Sequence, residues 1–330
     1  MHRTTLQRRR LLIGLAIAAL APAALSQTYP DKPITLVVPY PPGAAVDRMG
    51  RALALELAKR LGKSVIVENI GGASGTIGAM RVKRSPPDGY TLLLGSVNEL
   101  LVAPAVFKSG YSFKDFTPIA KSALNSTVLV ANPRLQANDV DQLTDLVKHT
   151  KEPLLCGATG SAMMQTIGGE AIAGAAGFKI ENIVYKGGGP LLNDLLGGQV
   201  MVGTIALTSA LPMIRDGRLK ALGIISEHRD PTAPQIPTVN EGKAVNGVSA
   251  DLWSGLFGPA NLPDPITARL ASVMREVLAD PAYRESEFKA GSVVVDAGDP
   301  QSFAKFLRQE AARLQPLLAR RATMVEQNAI

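Results

Sequence analysis

The stretch YPDKPITLVVPYPPGAAVD, Tyr29 to Asp47, decides the architecture. Ile34 to Val38 is a short apolar, β-branched run of the kind that forms a buried strand. Pro39, Pro41, Pro42 and Gly43 then prevent either strand or helix from running through the loop, because proline fixes φ and offers no amide donor. Asp47 is placed to cap the helix that follows. A strand feeding a loop that opens a helix leaves first-turn N–H groups without partners, and these can hold a carboxylate or another anion.

On the N-terminal side lies an export leader: Arg3 and Arg8 to Arg10, the apolar run LLIGLAIAALAPAAL from Leu11 to Leu25, and small residues at Ala24 and Ser26. Cleavage is expected after Ser26. QRRRLLIG fits a twin-arginine signal as well as a plain secretory one, and both routes stay open. Pro22 interrupts the apolar run, and no later segment offers about 20 uninterrupted apolar residues. A soluble mature chain in the periplasm is expected.

Removing residues 1–26 leaves about 304 of the 330, enough for two ordinary domains. Of the formal charge of +7, four charges belong to the leader's arginines, so the mature chain carries about +3. With aromatic residues at 5% and no basic run after the leader, nothing tracks phosphates or stacks bases, and no nucleic-acid partner is expected. Cys156 is the single cysteine, so no intrachain disulfide can form. Its setting, PLLCGATG, reads as a buried strand.

Onward from Asp47, strands and helices alternate. Met49, Leu53, Leu57 and Leu61 line one helix face before the stop at Gly62. The strand SVIVEN, the loop GGASGTIGA (71–79), a helix with Met80 and Val82, the turn SPPDG and the strand YTLLLGS follow as βαβ units, which build parallel sheets with ligand sites beyond the strand C-termini. A second set begins near Thr127, with strands VLVAN, LLCGAT, NIVYK, MVGTIA and ALGIIS and helices near 140–149, 164–175 and 190–196. The tail returns to helix at 266–278 and from 302 to about 324. The expected fold class is α/β, with 27–122 and 232–330 forming one domain, 123–231 the other, and a ligand cleft between them.

Several separated motifs carry a family resemblance: YPDKPI with VVPYPPGAAVD, VENIGGASGTIGA, PPDGYTLLLGS, VYKGGGPLLNDLLGGQV and LWSGLFGPANLP. Over essentially its whole mature length the chain resembles the Bug or TctC-like extracytoplasmic solute receptors of tripartite tricarboxylate transporters. The resemblance implies a two-lobed periplasmic-binding-protein (Venus-flytrap) fold. It also implies a monomer that closes on a small carboxylate and hands it to an integral-membrane permease, with no cofactor, no metal and no catalysis. A receptor that presents its closed form to a membrane sensor is the alternative.

In that family the loop after the first strand helps hold the ligand carboxylate, and Tyr40 to Asp47 matches it, with amides at Gly43, Ala44 and Ala45. These residues can equally shape a turn, and Asp47 can act only as a cap. Ser74, Gly75 and Thr76 in GGASGTIGA offer hydroxyls and close backbone approach, or serve strand–helix packing. Ser96 and Asn98 follow a strand end. In the second set, Thr159, Gly160 and Ser161 sit at a strand–helix junction, Gly187, Gly188 and Gly189 open another helix, and Thr204 ends the next strand. Two departures from the family stand out: Ala44 and Val46 replace a glycine and a threonine, and Met163 and Met164 fall where small polar residues are frequent. If these methionines face the cleft they favour a ligand with an apolar body; otherwise they belong to the core.

An enzyme has little support. The mature histidines, His149 and His228, form no triad or metal cluster, and neither GGASG nor GATGS has the glycine spacing of a nucleophile elbow.

Overall fold

The computed structural model describes residues 29–327, with side chains described as far as 323. The expected leader, 1–26, lies outside the described residues. β1 (Ile34–Val38) is the expected first strand, with Ile34, Leu36, Val37 and Val38 wholly buried. The proline loop turns into α1 (Ala45–Leu61), which buries Leu53, Leu57 and Leu61 and stops at Gly62 in the left-handed conformation, φ 68°. Gly50 lets this helix close on β1, since a Cβ there would stand 2.6 Å from Val38 Cγ2.

β2 (Val65–Asn69) and β3 (Thr91–Ser96) flank β1 in parallel, with α2 (Thr76–Lys83) crossing between the two. Beyond β3 the sheet is antiparallel, which the periodicity did not predict. β10 (Leu252–Pro259) pairs β3, and β4 (Phe116–Asn125) pairs β10, giving the order β11-β4-β10-β3-β1-β2 with the two-residue β11 (Val293–Val294) at the edge. Both unpredicted strands have interrupted patterns. β4 contains Pro118 and Lys121, and β10 carries Gly255, where a Cβ would lie 2.5 Å from Phe303 Cζ.

The second sheet has the order β7-β6-β8-β5-β9, from β5 (Thr127–Ala131), β6 (Leu154–Ala158), β7 (Ile180–Val184), β8 (Val202–Ala206) and β9 (Lys220–Ile224). β6 runs parallel to β7 and β8, and β5 antiparallel to β8 and β9. Its helices are α4 (Val140–Val147), α5 (Met164–Ala176), α6 (Gly188–Gly197) and α7 (Leu207–Arg215). Cys156 is buried in β6, where burial pushes its thiol up to about 12. The chain then returns to the first lobe as α8 (Asp264–Ala279), α9 (Pro281–Lys289) and α10 (Pro300–Gln327), the last packing on β4 and on α3 (Ala103–Phe107).

Two chain crossings join the lobes, and they are tied together. Ser126 Oγ donates to Asp230 Oδ2 at 2.7 Å, and Thr127 Oγ1 donates to the Ala250 carbonyl at 2.7 Å. The Ile225 amide donates to the Thr127 carbonyl and the Ala250 amide to the Ile225 carbonyl, both at 2.8 Å. Among the described residues no helix is long and apolar enough to cross a membrane.

Candidate ligand site

Strands of both sheets point their C-terminal ends at one cavity of about 100 Å³, measured as the space open to the centre of a water-sized sphere. Residues after β1, β3, β6, β7 and β8 line it. Four helices begin there: α1 after Ala44, α5 after Met163, α6 after Gly187 and α7 after Ala206. None of these four preceding residues supplies a side-chain cap. Helices usually place Ser, Thr, Asp or Asn at this position to satisfy their first amides. Here the positions hold two Ala, a Met and a Gly, so positive helix ends from both lobes turn toward one small space, with the first amide of α5 taken by Asn98 Oδ1 and that of α7 by the Ser126 carbonyl.

The first loop is held from behind. Asp47 is not the cap of α1 but stands in its first turn, 4% exposed, and accepts from the Gly43 amide at 2.9 Å, Asn69 Nδ2 at 2.9 Å and Arg51 Nε at 3.1 Å. Burial alone pushes its carboxyl up, but the hydrogen bonds from Arg51, Gly43 and Asn69 win and hold it below the usual range. Asn69 also donates to the Tyr40 carbonyl at 3.1 Å. The Gly43 amide is therefore occupied, and the Ala44 amide reaches the Pro41 carbonyl at 3.3 Å. Of the three amides expected at this loop, Ala45 remains, joined by Val46 in the first turn.

Tyr40, Ala44, Ala45, Ser96, Asn98, Thr159, Gly187 and Gly188 line the cavity. The other expected residues do not. Gly43 and Asp47 shape the loop. Ser74 and Gly75 form a short 3-10 turn with left-handed φ of 52° and 90°, beside the cavity. Thr76 caps its own turn by donating to the Ala73 carbonyl at 3.0 Å. A Cβ on Gly160 would meet Ser74 Oγ at 3.1 Å, so these two face each other off the wall. Ser161 offers its carbonyl to Arg321 Nη2 at 3.0 Å. Gly189, the second residue of α6, is exposed, and Thr204 is wholly buried in β8 behind the wall. The methionine pair divides: Met163 lines the cavity, whereas Met164 is wholly buried in the core.

Two charged residues missed in the sequence matter here. Arg48, on the wall, is forked onto Glu287 with Nη1 and Nη2 each 2.8 Å from a carboxylate oxygen, so its charge is balanced by a side chain only 1% exposed. As a basic residue on a helix surface it gave no signal in the sequence. Glu99 is 0% exposed under the wall and receives Tyr40 Oη and Ser96 Oγ at 2.7 Å each, together with the Ser96 amide. Burial pushes its carboxyl up to about 7 against these hydrogen bonds. A lone acid inside the apolar run VNELLVAPAV was its available signal.

Val46, Met49, Met163, Ile205, Leu252 and Trp253 make much of the wall apolar. Three wall residues carry buried polar atoms without a partner in the protein: Asn125 Oδ1, Trp253 Nε1 and Ser292 Oγ. Such atoms are satisfied by a ligand or ordered water. His149 lies in the turn after α4 and His228 in the loop after β9, both away from the wall.

Comparison with known proteins agrees with this geometry. Residues 49–323 match the model of the tripartite tricarboxylate transporter family receptor, TctC. Protein BugT of Bordetella pertussis is 32% identical, over 91% of this chain and 93% of that protein. MatC from Rhodopseudomonas palustris, solved with bound malate, is 29% identical with a TM-score of 0.81, over 88% of this chain and 100% of that one. A second R. palustris protein, solved with adipate, is 26% identical with a TM-score of 0.84, over 89% of this chain and 98% of that one. A match this long places the chain in the tripartite tricarboxylate transporter receptor family.

Proposed function

We propose that this receptor captures a small carboxylate with an apolar body in the periplasm. Acting as a monomer without catalysis, it hands the ligand to an integral-membrane permease of the tripartite tricarboxylate type. The observation that carries this reading is the convergence of four helix N-termini on one cavity: Asn98 Oδ1 takes the first amide of α5 and the Ser126 carbonyl that of α7, and the first turns of α1 and α6 are offered to an anion without a dedicated cation. The neighbours solved with malate and adipate support the carboxylate. Val46, Met163 and Trp253 support the apolar body. In this reading the lobes divide near residues 123 and 232 and close about the paired crossings.

Thermal-shift screening of the purified protein against carboxylates, amines and sugars tests the proposal. A ligand that binds only the native state raises the melting temperature. Carboxylates are expected to do so. A response confined to uncharged or cationic compounds would overturn the reading.

A further inference from the structure

We propose that Glu99 sets the ligand class: the cavity takes a carboxylate whose other end presents a hydrogen-bond donor, such as a hydroxyl or an amide, to Tyr40 and Ser96, not a second carboxylate. The inference rests on the carboxylate-receptor reading above and adds to it a residue that is not on the wall.

The argument is one of proton direction. A hydroxyl owns one proton, and both Tyr40 Oη and Ser96 Oγ spend theirs on Glu99 Oε2, at 2.7 Å each. What remains on the cavity side is lone pairs. Ser96 Oγ already accepts the Asn98 amide at 3.3 Å, and the Asn98 and Ser96 side chains also reach Tyr40 Oη, so a ligand donor would share that acceptor with Asn98. A ligand carboxylate placed there would meet lone pairs and, one hydroxyl behind them, a buried like charge. A ligand O–H or N–H would complete the hydrogen-bond chain instead.

Glu99 is fixed in this role. Tyr111 Oη donates to its main-chain carbonyl at 2.6 Å, and Gly75 clears its side chain, since a Cβ at Gly75 would lie 2.9 Å from Glu99 Cβ. The groups that face it are Tyr40, Ser96, Asn98 and Tyr111, and none is a cation. The carboxylate end of the ligand belongs instead on the first-turn amides of α1 and α6.

Calorimetry with linear ω-hydroxy monocarboxylates and the α,ω-dicarboxylates of equal length, succinate to suberate, tests this at pH 8, where Glu99 is ionised. The hydroxy acid is expected to bind at least about tenfold tighter than its matched diacid, the scale of a hydrogen bond to a charged network. Glu99→Gln should reverse the preference. The glutamine amide would donate to both hydroxyls at the Oε2 position and free their protons for the cavity. Tyr40→Phe, which leaves Glu99 in place, should abolish the preference and decides the matter should Glu99→Gln fail to fold. Equal or tighter binding of the diacid by the unmodified protein, or an unchanged preference in Glu99→Gln, overturns the inference and leaves the receptor reading intact. Binding of no carboxylate in the series overturns both.

Discussion

Asn98 of the first lobe accepts the backbone amide of Met164, the first residue of α5 in the second lobe, through its Oδ1 at 2.9 Å, while its Nδ2 reaches Gln165 Oε1 at 3.3 Å. One side chain, 4% exposed, thus bridges the lobes at the cavity wall. It also satisfies the amide that Met163, as an uncapped N-terminal residue, leaves open.

In the proposed receptor cycle this bridge joins the lobes when they close over the ligand. Asn98→Ala removes it and should lower the population of closed receptor, so apparent ligand affinity falls by about fivefold, the equivalent of ~1 kcal/mol for one hydrogen bond. Small-angle scattering of the ligand-free protein should show a more open shape. A variant with unchanged affinity and unchanged scattering would mean that closure does not depend on this contact.

The adjacent methionines should separate stability from binding. Met164 is wholly buried, so Met164→Ala is expected to destabilise the fold by ~2–5 kcal/mol through the cavity it leaves, read as a shift in urea midpoint. Met163 lines the ligand cavity, and Met163→Ala should weaken carboxylates with an apolar body by ~1 kcal/mol or more, while small polar diacids lose less. Sequence reasoning could not split the pair, because the residue before a helix and the helix's first residue look alike until the helix start is known to one residue. Reversal of the two effects would reassign both side chains.

Legibility followed the range of the contacts. The strand-end loops were readable because proline and glycine at 39–43 and glycine at 187–189 announce local backbone geometry, and eight of the residues expected from them line the cavity. Contacts built from opposite ends of the chain were not. Arg48 meets Glu287 across 239 residues, and Ser292 enters the wall only because β11 returns to β4. β10 was quoted as a motif, LWSGLFGP, without being recognised as a strand. Its glycines disguise a segment whose other residues are all buried.

Trp253 offers a direct optical reading of the site. It is the only tryptophan in the sequence, 2% exposed, on the cavity wall, with its Nε1 lacking a partner in the protein. Its ring also packs edge-on to Phe303 and Phe306, at centroid distances of 6.1 and 5.6 Å, so the indole is held rigidly. Ligand binding should therefore change the intensity or wavelength of tryptophan emission in a saturable titration, and Trp253→Phe should remove the signal. Saturable binding seen by calorimetry with no change in emission would place the ligand away from this end of the cavity.

Glu99 should make stability fall as pH rises toward neutrality. Its carboxyl is held at about 7 in the folded chain, against 4.5 when unperturbed, because burial disfavours the charged form. Between these values the native state keeps a proton that the unfolded chain has released, so raising the pH favours unfolding. The contribution is fully present below pH 4.5 and is lost once pH passes about 7, a change of about 3 kcal/mol at 1.36 kcal/mol per unit. Asp47, held low, acts in the opposite sense and only in more acidic solution: its contribution is present above 3.8 and is lost as pH falls. Glu99→Gln carries no titrating group there and should gain on the unmodified protein from about pH 4.5 to 7 in urea denaturation, the gain levelling off above that. If the two curves stay parallel across that window, Glu99 is ionised throughout, and its burial is compensated by the three donors around it.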